Sequence, residues 1–592
     1  VIKKLLLMAL YVAAFTGCKK DGNMSQELGL KDDAAFLRYE DHFLEELWKN
    51  NPDWATSVGY HKYDSLLLVP SAKNRDLAVK FAKVQIDSLS RYQPNTLSDL
   101  NKMDSRLMQN EMEKIQFYNE QLKAYEWDPS SYNVIGSFAT ILNENYAPLT
   151  KRLRSFYQKM ENIPAYYKEA EKQIKNPVVE LTQLAIDQHL GGVGVIENDF
   201  ADSLKKTNIP AGEQTLMLGR AKISAAAIKE YAAWLKVLKN DKPRSFRLGK
   251  QFYEAKFKYE IQAEGTAQQT YNSAVERKRF LHKEMAKLSR ALWPKYFGKQ
   301  PIPKDSLEFI ARVIDTLSAK HVAPGEFQSA IEKEIPKLTA FIRSKDIVTL
   351  DPTKPLVVRK EPAYMAGVAG ASISAPGPYD KNGNTYYNVG SLSGWPAEKA
   401  ESYLREYNDY ILQILCIHEA IPGHYTQLVY ANKAPSMIKA IFGNGAMVEG
   451  WAVFSEQEMM DAGFGDNAPE MRLMWYKWHL RSVCNTILDY SVHSSNMTKE
   501  DAIKMLTKEA FQQQAEAEGK WKRVSVSNIQ LTSYYTGYKE INALHEEWKK
   551  KKADKYKLKE FNEKFLSYGS APVKYIKEAM FAIPKIDPKG NN

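Results

Sequence analysis

The chain has 592 residues, 44% of them apolar and 26% charged, and a formal net charge of +11. That length and apolar share exclude a disordered or fibrous chain and are enough for a sizeable core, in one large domain or two intimate lobes. Three cysteines exclude a disulfide framework. The basic residues are scattered among Asp and Glu and read as solvated surface; even the runs at 242–250 and 550–557 lack the interleaved aromatics of a nucleic-acid site.

The first residues, VIKKLLLMALYVAAFTGC, place Lys3 and Lys4 before an apolar run that is too short to span a bilayer and ends in small residues. This is the layout of a secretory signal over 1–17. Cys18 directly after Phe-Thr-Gly resembles the lipobox of bacterial lipoproteins, which implies acylation of Cys18, export, and anchoring in the periplasm or at the outer membrane. A simple cleaved signal beside an unrelated cysteine is the alternative. The polar stretch 18–31 reads as a flexible tether, and the folded body as 32–592.

Segments with helical spacing follow: Ala34 to Asn50, Asp76 to Tyr92, Asp99 to Trp127, Ala147 to Lys175 and Gln214 to Asn240. The expected fold is therefore mainly α, and no repeat of fixed period points to a solenoid. From Leu356 to Val389, β-branched and aromatic residues mixed with Gly, Pro and a Lys-Asn-Gly-Asn turn predict a small β element. It reads equally as a surface flap or as an edge that pairs with an extended peptide.

The chemistry concentrates just after it. YILQILCIHEAIPGHYTQLVY, residues 410–430, is an apolar helix broken by Pro422 and Gly423, with His418, Glu419 and His424 around the break. In an HExxH helix, histidines four apart share a face and reach one Zn²⁺, while the Glu reaches its water. Here the histidines are six apart, and six steps of about 100° turn the second roughly 120° from the first. The helix must deform, and Pro422 and Gly423 are the residues that permit it. A second acidic motif, VEGWAVFSEQE, places Glu449 and Glu456 seven apart on one helical face. Glu449 is the expected third ligand, and Glu456 the carboxylate that fixes a ligand histidine's tautomer.

HEAIPGHYTQ and EGWAVFSE, with NPDWATSVGYHKYDSLL near 51–67 and IQLTSYYTGYKEI near 529–541, resemble the bacterial DUF885 family, many of them lipoproteins, grouped with the zincin metallopeptidases. The resemblance implies a large helical zincin-like fold with a deep cleft. It also implies zinc at His418, His424 and Glu449, Glu419 as base, and supporting roles for Gln427, Glu456, Asp489 and His493. Arg523, Gln530, Tyr534 and Gly537 fall where the family has its Arg, Gln, Tyr and Gly, read as a substrate-facing wall with Tyr534 or His493 as oxyanion donor. The chain departs from the family at Phe454, usually Tyr, and at Asn528 and Ile529, usually Pro-Gly. The expected activity is zinc-dependent hydrolysis of short peptides, as an oligopeptidase or carboxypeptidase. The alternatives are a non-catalytic surface lipoprotein that binds peptide or glycan, and a zinc hydrolase of a non-peptide amide or ester.

Overall fold

The computed structural model describes residues 21–582 apart from 94, 362–370, 381–382 and 435. The signal segment and Cys18 lie outside the described residues. The first helix runs from Asp21 to Asn50, so residues 21–31, read above as a tether, are instead its opening turns. The stretch contains Gln26, Glu27, Leu28, Leu30 and Lys31 and no proline. Those residues favour a helix, and extending an existing helix needs no new nucleus.

The other helices appear with altered ends. Ala72–Leu89 starts where the Ser71 hydroxyl accepts the Asn74 amide. Asp99–Gln116 stops short of Trp127, passing through a widened turn at Phe117–Leu122 into Lys123, which takes a left-handed conformation at φ 52°. The segment from Ala147 splits into Leu149–Lys159 and Ile163–Gln173, because Pro164 cannot continue a helix but starts one well. The last of the five is Ala211–Val237.

The molecule is mainly helical, with a small sheet where the sequence predicts one. Strands β1 (Leu356–Lys360), β2 (Ala371–Ser374) and β3 (Thr385–Val389) lie in the order β1-β3-β2, with β3 parallel to β1 and antiparallel to β2. Buried apolar side chains from Tyr132 to Leu235, with Leu67, form a cluster of their own beside the larger core. Cys416 and Cys484 are both free and buried. Among the described residues, no helix is long and apolar enough to cross a membrane.

Six helices of the larger core position the site: α1 (Asp409–Glu419), α2 (His424–Ala431), α3 (Gly445–Asp461), α4 (Pro469–Ser494), α5 (Gln514–Val526) and α6 (Ser533–Lys552). β2 packs against α1, so a sheet edge lies beside the helix that carries His418. Helices α3 and α6 pack along one another and meet at two glycines. A Cβ on Gly537 would stand 1.7 Å from the Ala446 carbonyl oxygen, and one on Gly450 would stand 2.4 Å from the Gly537 Cα. This near-contact of backbones brings Glu449 on α3 and Tyr534 on α6 to the same place.

Candidate metal centre

Asn408 caps α1 by accepting the amides of Tyr410 and Ile411, and the helix delivers His418 and Glu419 in its last turn. It then breaks. The deformation that the spacing of six requires takes the form of a stop at Glu419 and a restart at His424. Across the gap the Ile421 amide reaches back to the Cys416 carbonyl at 3.3 Å, and the Gly423 amide to that of Ile417 at 3.0 Å. These five- and six-residue reaches widen the turn and absorb the rotation that the spacing of six imposes. Only glycine fits at 423, since a Cβ there would lie 1.9 Å from the His418 carbonyl oxygen. The loop is anchored to α3 by the Trp451 indole, which donates to the Pro422 carbonyl at 2.9 Å.

The result is a convergence of the two imidazoles, their rings perpendicular with centroids 4.7 Å apart. One ligand atom each from His418, Glu419 and His424 lies within 4.8 Å of the others. Glu449 Oε2 stands 3.7 Å from His418 Nε2 and 3.4 Å from His424 Nε2. Hydrogen bonds of this type are about 2.7–3.2 Å long, whereas ligand atoms held ~2.1 Å from a tetrahedral Zn²⁺ are roughly 3.4 Å apart. Glu449 Oε2 is buried without a hydrogen-bond partner. The donor set of two imidazoles and a carboxylate thus fits Zn²⁺ in chemistry and in spacing.

Charge at the site points the same way. Burial pushes the carboxyls of Glu419 and Glu456 upward. Burial also works to raise Glu449, but its two histidine neighbours outweigh this and hold it below the usual carboxylate range. Burial alone would lower His418, yet Glu449 and Glu456 carry it up to about 10. Three carboxylates around two imidazoles therefore draw positive charge to one point. Glu456 Oε1 accepts His418 Nδ1–H at 2.7 Å and the Trp478 indole at 2.9 Å, which leaves Nε2 of His418 free to bind metal. Replacing Glu456 with Gln removes that charge while keeping the shape. Zinc affinity should then fall about 10- to 100-fold in a titration against a competing chelator.

The remaining residues singled out from sequence divide into two groups. Tyr534 lies with its ring parallel to His418, centroids 6.2 Å apart, and its hydroxyl is pushed up to about 12 by burial and by Glu449. Arg523 Nη2 donates to Gln530 Oε1 at 2.6 Å and lies 3.4 Å from the Tyr534 hydroxyl, so these three form one hydrogen-bonded group beside the metal ligands. Glu419, His424, Glu449, Arg523, Gln530 and Tyr534 all keep partial exposure.

The others are engaged elsewhere. His493 is buried, its Nε2–H shared by the carbonyls of Val524 and Ser527 at 3.0 and 3.1 Å, and burial lowers it to about 4. It ties down the end of α5 and is not an oxyanion donor. Asp489 accepts the amides of Ile529 and Thr532, both at 3.2 Å, and so holds the loop leading to Tyr534 without touching the metal ligands. Gln427 donates to the Ser570 hydroxyl at 2.8 Å, and Gly537 serves the α3–α6 crossing. A surface cavity of about 420 Å³ beside Arg75 and Tyr125 is lined by none of these residues.

A profile of the family described as "bacterial protein of unknown function (DUF885)" matches residues 52–580. The chain belongs to the DUF885 family. It is 50% identical to a solved Shewanella oneidensis structure described as "a putative lipoprotein of unknown function", over 92% of this chain and all of that one, with a TM-score of 0.83. A second solved structure, "the putative lipoprotein from Colwellia psychrerythraea", has 16% identity, 94% and 97% coverage and a TM-score of 0.73, a likeness of fold. No curated protein matches.

Both departures from the DUF885 pattern are accommodated. Phe454 is fully buried, edge-on to His545 with centroids 5.1 Å apart, where a hydroxyl is not needed for packing. Ile529 takes the left-handed conformation, φ 70°, which a β-branched side chain resists and glycine adopts freely. The hydrogen bond its backbone N–H donates to Asp489 and the burial of its side chain hold it there. Sequence reasoning missed Trp478, which donates to Glu456, and Arg481, which lies 4.7 Å from the Trp478 ring. The signal for Arg481 is that α4 is buried around nearly its whole girth, so a charged residue within it must have a partner; Trp478 has no signal beyond being a buried aromatic.

Proposed function

We propose that this protein is an exported, lipid-anchored zinc peptidase of zincin-like fold that hydrolyses short peptides. The observation that carries the reading is the tetrahedral spacing of Glu449 Oε2 from both histidines, with a further carboxylate, Glu419, beside them. A structural zinc site needs no such extra base and normally takes a fourth protein ligand. His418, His424 and Glu449 would hold the metal. Bound there, Zn²⁺ supplies a water acidified toward a pKa of about 7 and polarisation of a carbonyl.

The chain's own groups do the rest. Glu419, its carboxyl raised by burial, takes a proton from the attacking water and returns it to the leaving amine. The Tyr534 hydroxyl, oriented by Arg523, donates to the oxygen that gains charge, and donors of this kind contribute about 3 kcal/mol each. Glu456 keeps His418 in the tautomer that leaves Nε2 unprotonated. A deep cleft of the zincin kind would admit extended short peptides rather than folded proteins. The sheet edge beside α1 offers backbone partners for such a chain.

Placement at the membrane rests on the signal-like start, on Cys18, and on the two similar structures described as lipoproteins. The test is metal content together with cleavage of a mixed peptide library by protein lacking the lipid. About one zinc per chain with cleavage that stops on chelation is the expected result. Protein that binds no divalent metal would overturn the reading.

A further inference from the structure

Beside the metal centre lies a second cluster of charge. On α5, Glu516, Lys520 and Arg523 recur at four- and three-residue steps and share a face; on α4, Lys477 and Arg481 do the same. The two faces meet. Arg481 Nη2 pairs with Glu516 Oε1 at 2.6 Å, and Lys477 with Glu406 at 2.9 Å. Arg523 spends its guanidinium on the neutral Gln530 and Tyr534. Four basic groups thus face two carboxylates, and both carboxylates are already engaged.

Lys520 is the group left over. Its side chain is 3% exposed, its ammonium is 4.0 Å from the nearer oxygen of Glu516, and it has no hydrogen-bond partner. A buried cation that makes no hydrogen bond and shares its nearest carboxylate with Arg481 is poorly compensated, and an arriving anion would offset that cost. Burial, reinforced by Arg481 and only partly offset by Glu516, pulls its pKa well below the ordinary lysine value, and a carboxylate arriving beside it would favour its charged form. The cluster borders the metal centre on two sides. Arg523 touches Tyr534, which lies over His418, and Arg481 lies 4.7 Å from the ring of Trp478, which holds Glu456.

Resting on the peptidase reading, we propose that Lys520, with Arg481 and Arg523, receives the C-terminal carboxylate of the peptide, so that the enzyme is a carboxypeptidase releasing one or two residues. Each residue advances the chain by roughly 3.5 Å, so a terminal carboxylate one or two residues past the reacting carbonyl lies about 4–8 Å beyond it. One side chain stands between each arginine and the support of His418: Tyr534 for Arg523, and Trp478 for Arg481. In the step itself water adds its oxygen to the acyl carbon, the C–N bond breaks, and the proton taken by Glu419 goes to the amine. The products are the shortened peptide acid and a free amino acid or dipeptide.

The experiment uses three acetylated pentapeptides identical but for their ends: a free carboxylate, an amide, and an amide whose last residue is Asp. On the wild type, kcat/KM for the free acid should exceed that for both amides by about 100-fold, the scale of a charge-assisted contact. Lys520→Met, which keeps the volume, should collapse that ratio mainly through KM, and Lys520→Arg should retain most of it, with zinc content unchanged in both. Equal cleavage of acid and amide by the wild type overturns the proposal and needs no variant to do so. An Asp-amide as good as the acid also overturns it, by assigning the pocket to a side-chain carboxylate. Calorimetric binding of the same peptides to Glu419→Gln separates the two readings. Preference for the acid without turnover in the wild type sinks the peptidase and keeps the carboxylate pocket, whereas no preference sinks the pocket.

Discussion

Glu419→Gln should bind zinc as the wild type does and turn over peptide about 1,000- to 10,000-fold more slowly. The expectation follows from a division of labour among the acids of the site. Glu449 stands between the two imidazoles at ligand spacing, and Glu456 is committed to His418 Nδ1–H and the Trp478 indole. Glu419 carries neither duty, so its amide leaves the ligand set intact while removing, among Glu419, Glu449 and Glu456, the one carboxylate left to take a proton there. Zinc content by elemental analysis and kcat on a cleaved library peptide, measured on the same preparations, check it. A Gln variant with full activity would show that the base lies elsewhere, and one without zinc would make Glu419 a ligand.

The second large effect concerns a residue that makes no chemical contact. Gly537→Ala should destabilise the protein by about 3 kcal/mol or more and weaken zinc binding with it. Its Cβ would lie 1.7 Å from the Ala446 carbonyl oxygen, so α3 and α6 must part, carrying Glu449 away from Tyr534 and the histidines. The same substitution at Gly219, on the exposed side of the helix Ala211–Val237 with nothing within 4 Å, should have the opposite sign. There alanine is worth up to about 1 kcal/mol over glycine. Thermal melts of the two variants side by side test the claim. A Gly537→Ala variant as stable as Gly219→Ala would mean that the helices do not approach as closely as described.

The contrast between these two glycines marks how far a linear reading reaches. His418, Glu419 and His424 are legible because their relation is local, set by the rise and turn of one helix, and the misfit of six residues lies beside the Pro422–Gly423 pair that resolves it. Glu449 and Glu456 are legible as one face of one helix. Tyr534 and Arg523 were reached through family likeness, since neither has a local pattern to mark it. His493, read as an alternative oxyanion donor, and Asp489, read as a supporting residue, are fasteners of α5 and of the loop that ends in Tyr534. A histidine and an aspartate look the same in sequence whether they meet a metal or a backbone.

By itself the sequence determined the helical class and the small β element, and it pointed to the proposed ligand types and base, because periodicity and short spacings are properties of single elements. Tertiary structure alone decided which faces meet. It placed Gly450 against Gly537, where two backbones touch and a missing Cβ matters, and it set Lys520 among Arg481 and Arg523 with no carboxylate to spare. These depend on the packing of helices far apart in the chain, where the cost of one buried charge or one methyl group is fixed by its neighbours and not by its own identity.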